Sequence, residues 1–253
     1  MLLAVDAGNT NTVVGLFAGH RLVDHWRIST TTERTADELG LLIGELLTAR
    51  SHDPGAIDGA AVACTVPRFT PVVRETIERH LGVPLVVLGP GTRTGVAILY
   101  DDPHQVGPDR IANAVAAHER FGGPTIVVDF GTATTVDVTS GEGAYLGGAI
   151  LPGIEISLDA LMARAAALAW VELTPPERVI GRNTLESVSS GVLLGFASAV
   201  DGLCRRFEAE LGPCTVVSTG GLGDRMAPLS ERIEHHEPWL TLHGLRLVYD
   251  RNR

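Results

Sequence analysis

The chain has 253 residues, 45% hydrophobic and 20% charged, an ordinary globular composition with room for one large domain or two smaller ones. Its net charge of −10 offers no basic face to neutralise phosphates, which argues against a nucleic-acid partner. All twenty basic residues are arginine, so a Walker A loop, whose lysine is a required part, is excluded.

The first element expected is a buried strand, Leu2-Leu3-Ala4-Val5, running into Asp6-Ala7-Gly8-Asn9-Thr10-Asn11-Thr12. A strand fixes the direction of Asp6, Gly8 lets backbone approach a ligand, and Asn9, Thr10 and Thr12 supply neutral hydrogen-bonding groups. Val13 to Phe17 returns beside it, and Trp26 to Ser29 reads as a third strand. Thr35-Ala36-Asp37-Glu38 has the form of a capping box. It opens a helix with Leu39, Leu42, Ile43, Leu46 and Leu47 on one stripe. Ala60 to Cys64 is a short buried strand. Thr70-Pro71 reads as an N-cap with a following proline, opening a helix closed by Gly82, and Val83 to Leu88 is another strand.

A Gly- and Pro-rich loop from Gly89 to Gly107 carries Tyr100, Asp101 and Asp102. A helix from Asp109 to about Gly122 then joins two halves, with 1–116 and 117–253 as the expected domains. The second half opens like the first, with a strand to Asp129, Phe130-Gly131-Thr132-Ala133, and a returning strand from Thr134 to Val138. Further elements expected are a strand from Ala144 to Leu151, a helix at 157–168, and a loop at 171–183. A long helix from Thr184 to Leu211, bent at Gly191 and Gly195, precedes the strand Thr215 to Ser218. That strand leads into Thr219-Gly220-Gly221, and a terminal helix carries Leu242, Leu245, Val248 and Tyr249.

The two Asp-x-Gly turns lie 129 − 6 = 123 positions apart. One such turn is as well explained by ordinary β-turn preferences. Two, each with a hydroxyl-rich returning strand, point to phosphate binding. Asp109-Arg110 reads either as a helix-terminal cap or ion pair, or as a general base beside a cationic group. The Gly220-Gly221 pair permits a flat group to lie on backbone, and a tight strand-to-helix turn explains it about as well. His235-His236 and the tail arginines read as solvated surface, and no His-based metal site is expected. Cys64, Cys204 and Cys214 are odd in number and widely spaced, so reduced thiols and a cytoplasmic location are expected. Asp6 interrupts the apolar start and no apolar run approaches the length of a membrane span, so neither a signal peptide nor a membrane partner is expected.

These motifs carry a resemblance. Asp-x-Gly-Asn-Thr at 6–10 and Asp-Phe-Gly-Thr-Ala at 129–133 resemble the phosphate motifs of the acetate and sugar kinase, actin-like superfamily. Gly107-Pro108-Asp109-Arg110 with Asn113 is narrower and looks like the type III pantothenate kinases. Gly147-Gly148, Leu151-Pro152-Gly153, Gly181-Arg182-Asn183-Thr184 and Thr219-Gly220-Gly221 match that family in order and spacing, so the likeness covers essentially the whole chain. The visible departure is Gly223, where the family often has alanine.

The resemblance implies an α/β fold of two ribonuclease-H-like (actin-like ATPase) half-domains with a cleft between them, and ATP-dependent phosphorylation of pantothenate towards coenzyme A. It implies Asp109 as base, with Tyr100, Gly107, Pro108, Arg110 and Thr184 holding pantothenate, Thr184 from the second subunit of a homodimer. ATP would be held by Asp6, Ala7, Gly8, Asn9, Thr10, Asn11, Thr12, Val13, Thr132, Gly220 and Gly221. Mg²⁺ would lie near Asp6 and a monovalent cation, K⁺ or NH₄⁺, at Asp129. Another small-molecule kinase or a polyphosphate-cleaving phosphatase of the superfamily does not account for Gly107 to Asn113. A non-catalytic regulator of gene expression would not need Asp6, Asp109 and Asp129 together. An actin-like structural protein would not need the second-substrate residues.

Overall fold

The computed structural model describes residues 1–164 and 173–253. Contacts divide the chain into two units, Met1–Ala116 with Leu240–Arg253, and Ala117–Trp239.

In the first unit β1 (Leu2–Ala7) and β2 (Asn11–Ala18) form the opening hairpin, and β3 (Arg21–Ser29) pairs antiparallel with β2. β3 begins five residues before the apolar stretch that signals it. β4 (Gly59–Cys64) and β5 (Leu85–Val87) add in parallel on the other side, giving the order β3-β2-β1-β4-β5. Leu3, Val5 and Ala7 alternate into a core shared with α1 (Ala36–Ala49). The capping box forms in full: Thr35 N donates to Glu38 Oε2 at 2.7 Å, and Glu38 N donates to Thr35 Oγ1 at 3.3 Å. Leu39, Ile43 and Leu47 are buried, each contributing about 1.5–3 kcal/mol over an exposed side chain, while Leu42 and Leu46 flank them half-buried.

α2 (Thr70–Thr76) continues through a π-helical turn to Leu81 and stops at Gly82, whose φ is 63°. Thr70 is not its N-cap. Phe69 holds that place without a side-chain bond, and Thr70 Oγ1 donates to Val66 O at 3.3 Å instead, because the chain already turns helically at Phe69. α3 (Pro108–Phe121) follows the long loop, and the division between the units falls inside it.

The second unit repeats the plan. β6 (Thr125–Phe130), β7 (Ala133–Thr139) and β8 (Tyr145–Pro152) run antiparallel in sequence. β9 (Thr215–Thr219) and a two-residue β10 (His235–His236) add in parallel, for the order β10-β9-β6-β7-β8. The strand order 3-2-1-4-5 is thus present twice, as expected for two related halves. α4 (Ile154–Arg164) covers the start of the expected helix at 157–168. The rest of that helix, and the loop at 171–183 before residue 173, lie outside the described residues.

α5 (Thr184–Ser189) passes through a π-helical turn, Ser190–Leu194, into α6 (Gly195–Leu211), so the irregularity expected at Gly191 and Gly195 is a widened turn. This continuous helix, Thr184–Leu211, is long and apolar enough to cross a membrane by length and composition alone, which corrects the expectation that no run approaches that length. Its Leu193, Ala197, Val200 and Cys204 are built into the core with Ile126, Val128 and Phe130. Asp201 on the same helix is 4% exposed and accepts hydrogen bonds from Ser230 Oγ, Glu231 N and Arg232 N, tying down the segment after α7 (Gly223–Met226).

The chain then returns to the first unit as α8 (Leu240–Asn252), packed on β1 and β4. α8 meets α3 at Gly244, where a Cβ would run into the Ala112 backbone, and Thr241 Oγ1 donates to Asn113 Oδ1 at 2.8 Å in the same buried crossing. Two of its arginines are not the solvated groups expected. Arg246, 9% exposed, donates to Asp250 at 2.7 Å and bonds His20 Nδ1 at 2.9 Å, and Arg251 donates to Thr94 O.

Candidate active site

In the first unit Asp6 is the penultimate residue of β1, half-buried, on the sheet face opposite Leu3, Val5 and Ala7. β1 and β2 pair as far as Asp6↔Val13 and Ala7↔Thr12, leaving 8–11 as the turn. Gly8 N donates to Asn11 O at 3.0 Å, closing that turn with its backbone held close. Ala7 O accepts from Thr65 N at 3.0 Å, and Thr10 O accepts from Thr30 N at 2.9 Å. Thr12, 1% exposed, shares a 2.8 Å hydroxyl bond with Thr30. Neighbouring strands therefore fix the turn, while Asn9 and Thr10 remain exposed.

Gly107 to Arg110 opens α3. Gly107 O accepts from Ile111 N at 3.2 Å, Pro108 is the first helical residue, where its missing N–H costs nothing, and Asp109 lies in the first turn. Asp109 Oδ1 accepts from Arg110 N at 2.9 Å and lies where a side chain on Gly107 would sit. Its carboxylate is thereby oriented, and Arg110 is buried at 7% exposure. Tyr100 is half-buried in the preceding loop, whose Arg93 is held by Asn252 through reciprocal bonds of 3.0 and 2.8 Å.

The second unit brings four expected or motif residues together. The hairpin pairs to Phe130↔Thr134, so its turn, 131–133, is one residue shorter than 8–11. Gly131 N donates to Ala133 O at 3.1 Å. Gly153, which leads into α4, packs directly beneath the Gly131 and Thr132 carbonyls, where a Cβ would come within 2.8 Å of Gly131 O. Gly220, at φ 90°, lies against the Asp129 carboxylate and the Phe130 backbone, a conformation and approach that favour glycine. Asp129, Thr132, Gly153 and Gly220 thus form one cluster at the ends of β6, β8 and β9. Thr132 and Gly221 are exposed.

Thr184 is elsewhere in this unit, exposed at the start of α5. Asn183 caps that helix by accepting from Glu186 N at 2.9 Å, and Glu186 accepts from Arg182 N at 2.8 Å. The Gly-Arg-Asn-Thr motif is therefore a helix cap that also lines an open groove with Ser157, Leu161 and Val192.

Sequence reasoning missed a buried carboxylate on the neighbouring strand β7. Asp137, 2% exposed, accepts from Tyr145 Oη at 2.8 Å and from Thr135 Oγ1 at 2.9 Å. Thr135 is the register partner of Asp129. The alternation Thr135-x-Asp137 in a strand with a hydrophobic opposite face was the available signal. His236 was misread as solvated surface, since its Nδ1 bonds the buried Ser218 hydroxyl at 3.0 Å.

Among the described residues no three His, Cys, Asp or Glu side chains group as a metal cage. Asp6 alone fits Mg²⁺ taken largely through phosphate and water oxygens. Asp129, whose carboxylate lies against Gly220, offers oxygen donors of the kind hard cations take.

The family model for type III pantothenate kinase matches residues 2–206. The chain is 50% identical over 253 residues to a type III pantothenate kinase of Myxococcus xanthus, covering 100% of this chain and 99% of that one. It is 52% identical over 261 residues to one of Streptomyces coelicolor, covering 100% and 98%. The chain belongs to the type III pantothenate kinase family. Among solved structures it resembles a conserved putative Baf family transcriptional activator from Campylobacter jejuni, with TM-score 0.63 and 19% identity over 99% and 98% of the two chains. It also resembles an inorganic polyphosphate/ATP-glucomannokinase from Arthrobacter sp. strain KM, with TM-score 0.55 and 16% identity over 100% and 99%. At these identities the two structures speak for the fold alone. For a type III pantothenate kinase, that fold is the pair of ribonuclease-H-like halves that the repeated strand order displays.

Proposed function

We propose that the chain transfers the γ-phosphoryl group of ATP to the terminal hydroxyl of pantothenate, giving 4'-phosphopantothenate and ADP, the first step towards coenzyme A. The observation that carries this reading is full-length identity of 50% and more to proteins named type III pantothenate kinase.

Asp109 is the base. Its carboxylate takes the hydroxyl proton as the pantothenate oxygen bonds to the γ-phosphorus and the bond to the ADP oxygen breaks. The Arg110 N–H bond to Asp109 Oδ1 supports this role, since it leaves the carboxylate a defined direction. Gly107, Pro108, Arg110 and Tyr100 hold pantothenate, and Thr184 is supplied by the second subunit of a homodimer. In the first unit the turn from Asp6 to Val13 takes phosphate. In the second, Thr132 takes phosphate and Gly220-Gly221 takes adenosine. Asp6 would hold Mg²⁺ and Asp129 would hold K⁺ or NH₄⁺, and these ions would supply the positive charge that a chain without lysine does not.

A homodimer is part of this reading. Its support is a set of exposed apolar residues in the second unit at 43–81% exposure: Val179, Ile180 and Leu185 close in sequence to Thr184, Leu161 lining the same groove, and Ile156. A cytoplasmic location follows from the role in soluble metabolism.

The test is ADP release with pantothenate as acceptor, with and without K⁺, for the wild type and Asp109→Asn. A pantothenate-dependent and K⁺-stimulated rate that falls by about 10²–10⁴ in the variant is expected. ATP binding without pantothenate turnover would sink the function while leaving the fold.

A further inference from the structure

Two contacts in the second unit meet at one imidazole. His236 on β10 turns its ring back across β9, where Nδ1 lies 3.0 Å from the hydroxyl of fully buried Ser218. The same ring covers Gly223, the first residue of α7. A Cβ at Gly223 would stand 2.5 Å from the ring's Cε1 and 2.9 Å from Nδ1. The neighbouring His235 points the other way, stacked on Phe121 at 4.8 Å, as strand alternation requires.

Between Ser218 and Gly223 runs the turn Thr219-Gly220-Gly221-Leu222. On one side it is pinned to β6. Leu222 N donates to Phe130 O at 3.3 Å, and Gly220 lies against Asp129 and Phe130. Gly223 N donates to Gly220 O at 3.2 Å and closes the turn. The three heavy atoms nearest to a Cβ at Gly223 all belong to the His236 ring. The glycine turn is therefore held between the β6 backbone and one imidazole, whose orientation Ser218 sets.

We infer that His236 is a positioning residue for the nucleotide: seated in the space that Gly223 leaves, it sets the height of the Gly220-Gly221 turn against which adenosine lies. The inference rests on the ATP-dependent kinase reading above. A glycine pair presents only backbone, so its contacts with a flat group depend on the turn being held rather than on side chains. In a chain with alanine at this position the ring would have to lie elsewhere, so Gly223 and His236 act as one choice. The bland alternative is that His236 only braces β10, a strand two residues long. A brace would change stability and leave nucleotide affinity as it was.

The experiment is a double-mutant cycle on the full chain with Gly223→Ala, His236→Ala and the double variant. MgATP affinity is measured by calorimetry without pantothenate, alongside KM for ATP, KM for pantothenate and thermal melting. Gly223→Ala, which forces the imidazole off its seat, is expected to weaken MgATP binding about tenfold. His236→Ala is expected to weaken it about threefold, and the double variant to return within about twofold of wild type, because the alanine methyl fills the vacated space. KM for pantothenate should hold in all three. Rescue of ATP affinity in the double variant supports the inference. Independent, additive losses, or melting losses with unchanged ATP affinity, would overturn it in favour of a brace. If Gly223→Ala fails to fold, His236→Ala alone decides through the same split between the two KM values. A wild type that neither binds ATP nor phosphorylates pantothenate would overturn the kinase reading itself, and this inference with it.

Discussion

Substituting Gly244 by alanine tests whether α3 is held in place by its crossing with α8. The added Cβ would stand 2.5 Å from the carbonyl carbon and 2.9 Å from the Cα of Ala112, where ordinary contact begins at 3.4 Å. The obstruction is backbone, with the Ala112 carbonyl oxygen nearest of all, so no rotamer change relieves it, and α3 must retreat by about 1.4 Å. Ala112 is one helical turn beyond Asp109, so the same retreat moves the proposed base. A misplacement of about 1 Å at a reacting group can cost on the order of 10² in rate. The stability cost is smaller, because overpacking of about 1–3 kcal/mol is partly offset by the roughly 0.5–1 kcal/mol that alanine gains over glycine in a helix. Gly44→Ala is the control, since that helical glycine has nothing within 4 Å. We expect kcat for pantothenate phosphorylation to fall about 10–100-fold in Gly244→Ala with a loss of only a few degrees in Tm, while Gly44→Ala keeps its rate and melts no lower. A Gly244→Ala protein with wild-type kcat would refute the account of how Asp109 is positioned.

Asp201→Ala should lower stability by about 3 kcal/mol, or about 6–10 °C in Tm. Ser230 Oγ and Glu231 N lose a charged acceptor, while Arg232 N keeps Ser230 Oγ at 3.1 Å. A melting point within 1 °C of wild type, by calorimetry, would refute that role. Burial pushes the Cys204 thiol from 9.0 up to about 12, with Asp201 and Glu208 adding to it, and burial raises Cys214 as well. At pH 8 the thiolate fraction of Cys204 is then about 10⁻⁴, so a disulfide reagent should reach Cys204 only after denaturation. Rapid titration of all three thiols in the native protein would contradict this. The same shift makes this contribution to stability complete below about pH 9 and lost as pH rises towards 12, so Tm should decline across that interval. A flat Tm between pH 9 and 11 would count against it.

The hairpins, the capping box and the start of α3 were legible because each is written in consecutive residues: strand, turn glycine, cap and proline lie within a few positions. What was not legible depends on residues far apart in sequence. β10 is two residues long and has no period to read, so His236 looked like surface until Ser218 and Gly223 were placed beside it. Asp201 carries no local signal of its role, since its partners lie about 30 positions later. Thr70 was misread because the turn at Phe69 starts the helix early. The arginines of α8 were misread because Thr94 and His20 are distant in the chain. Asp6, Asp109 and Asp129 were singled out by motif, and the structure adds the Arg110 N–H bond to Asp109 and the packing of Gly220 against Asp129.

The placement of α8 has a consequence for how the protein is made. During synthesis the strands of the first unit emerge early, yet the helix that covers β1 and grips Ala112 follows only after all of 117–239. The second unit is one continuous stretch and can complete its core as soon as β10 is out, whereas the first must wait, with one sheet face uncovered, for a segment encoded after its neighbour. Vectorial folding should therefore run backwards relative to gene order, the later unit closing before the earlier. A released chain truncated after residue 239 should resist protease in its second unit and be cut in its first.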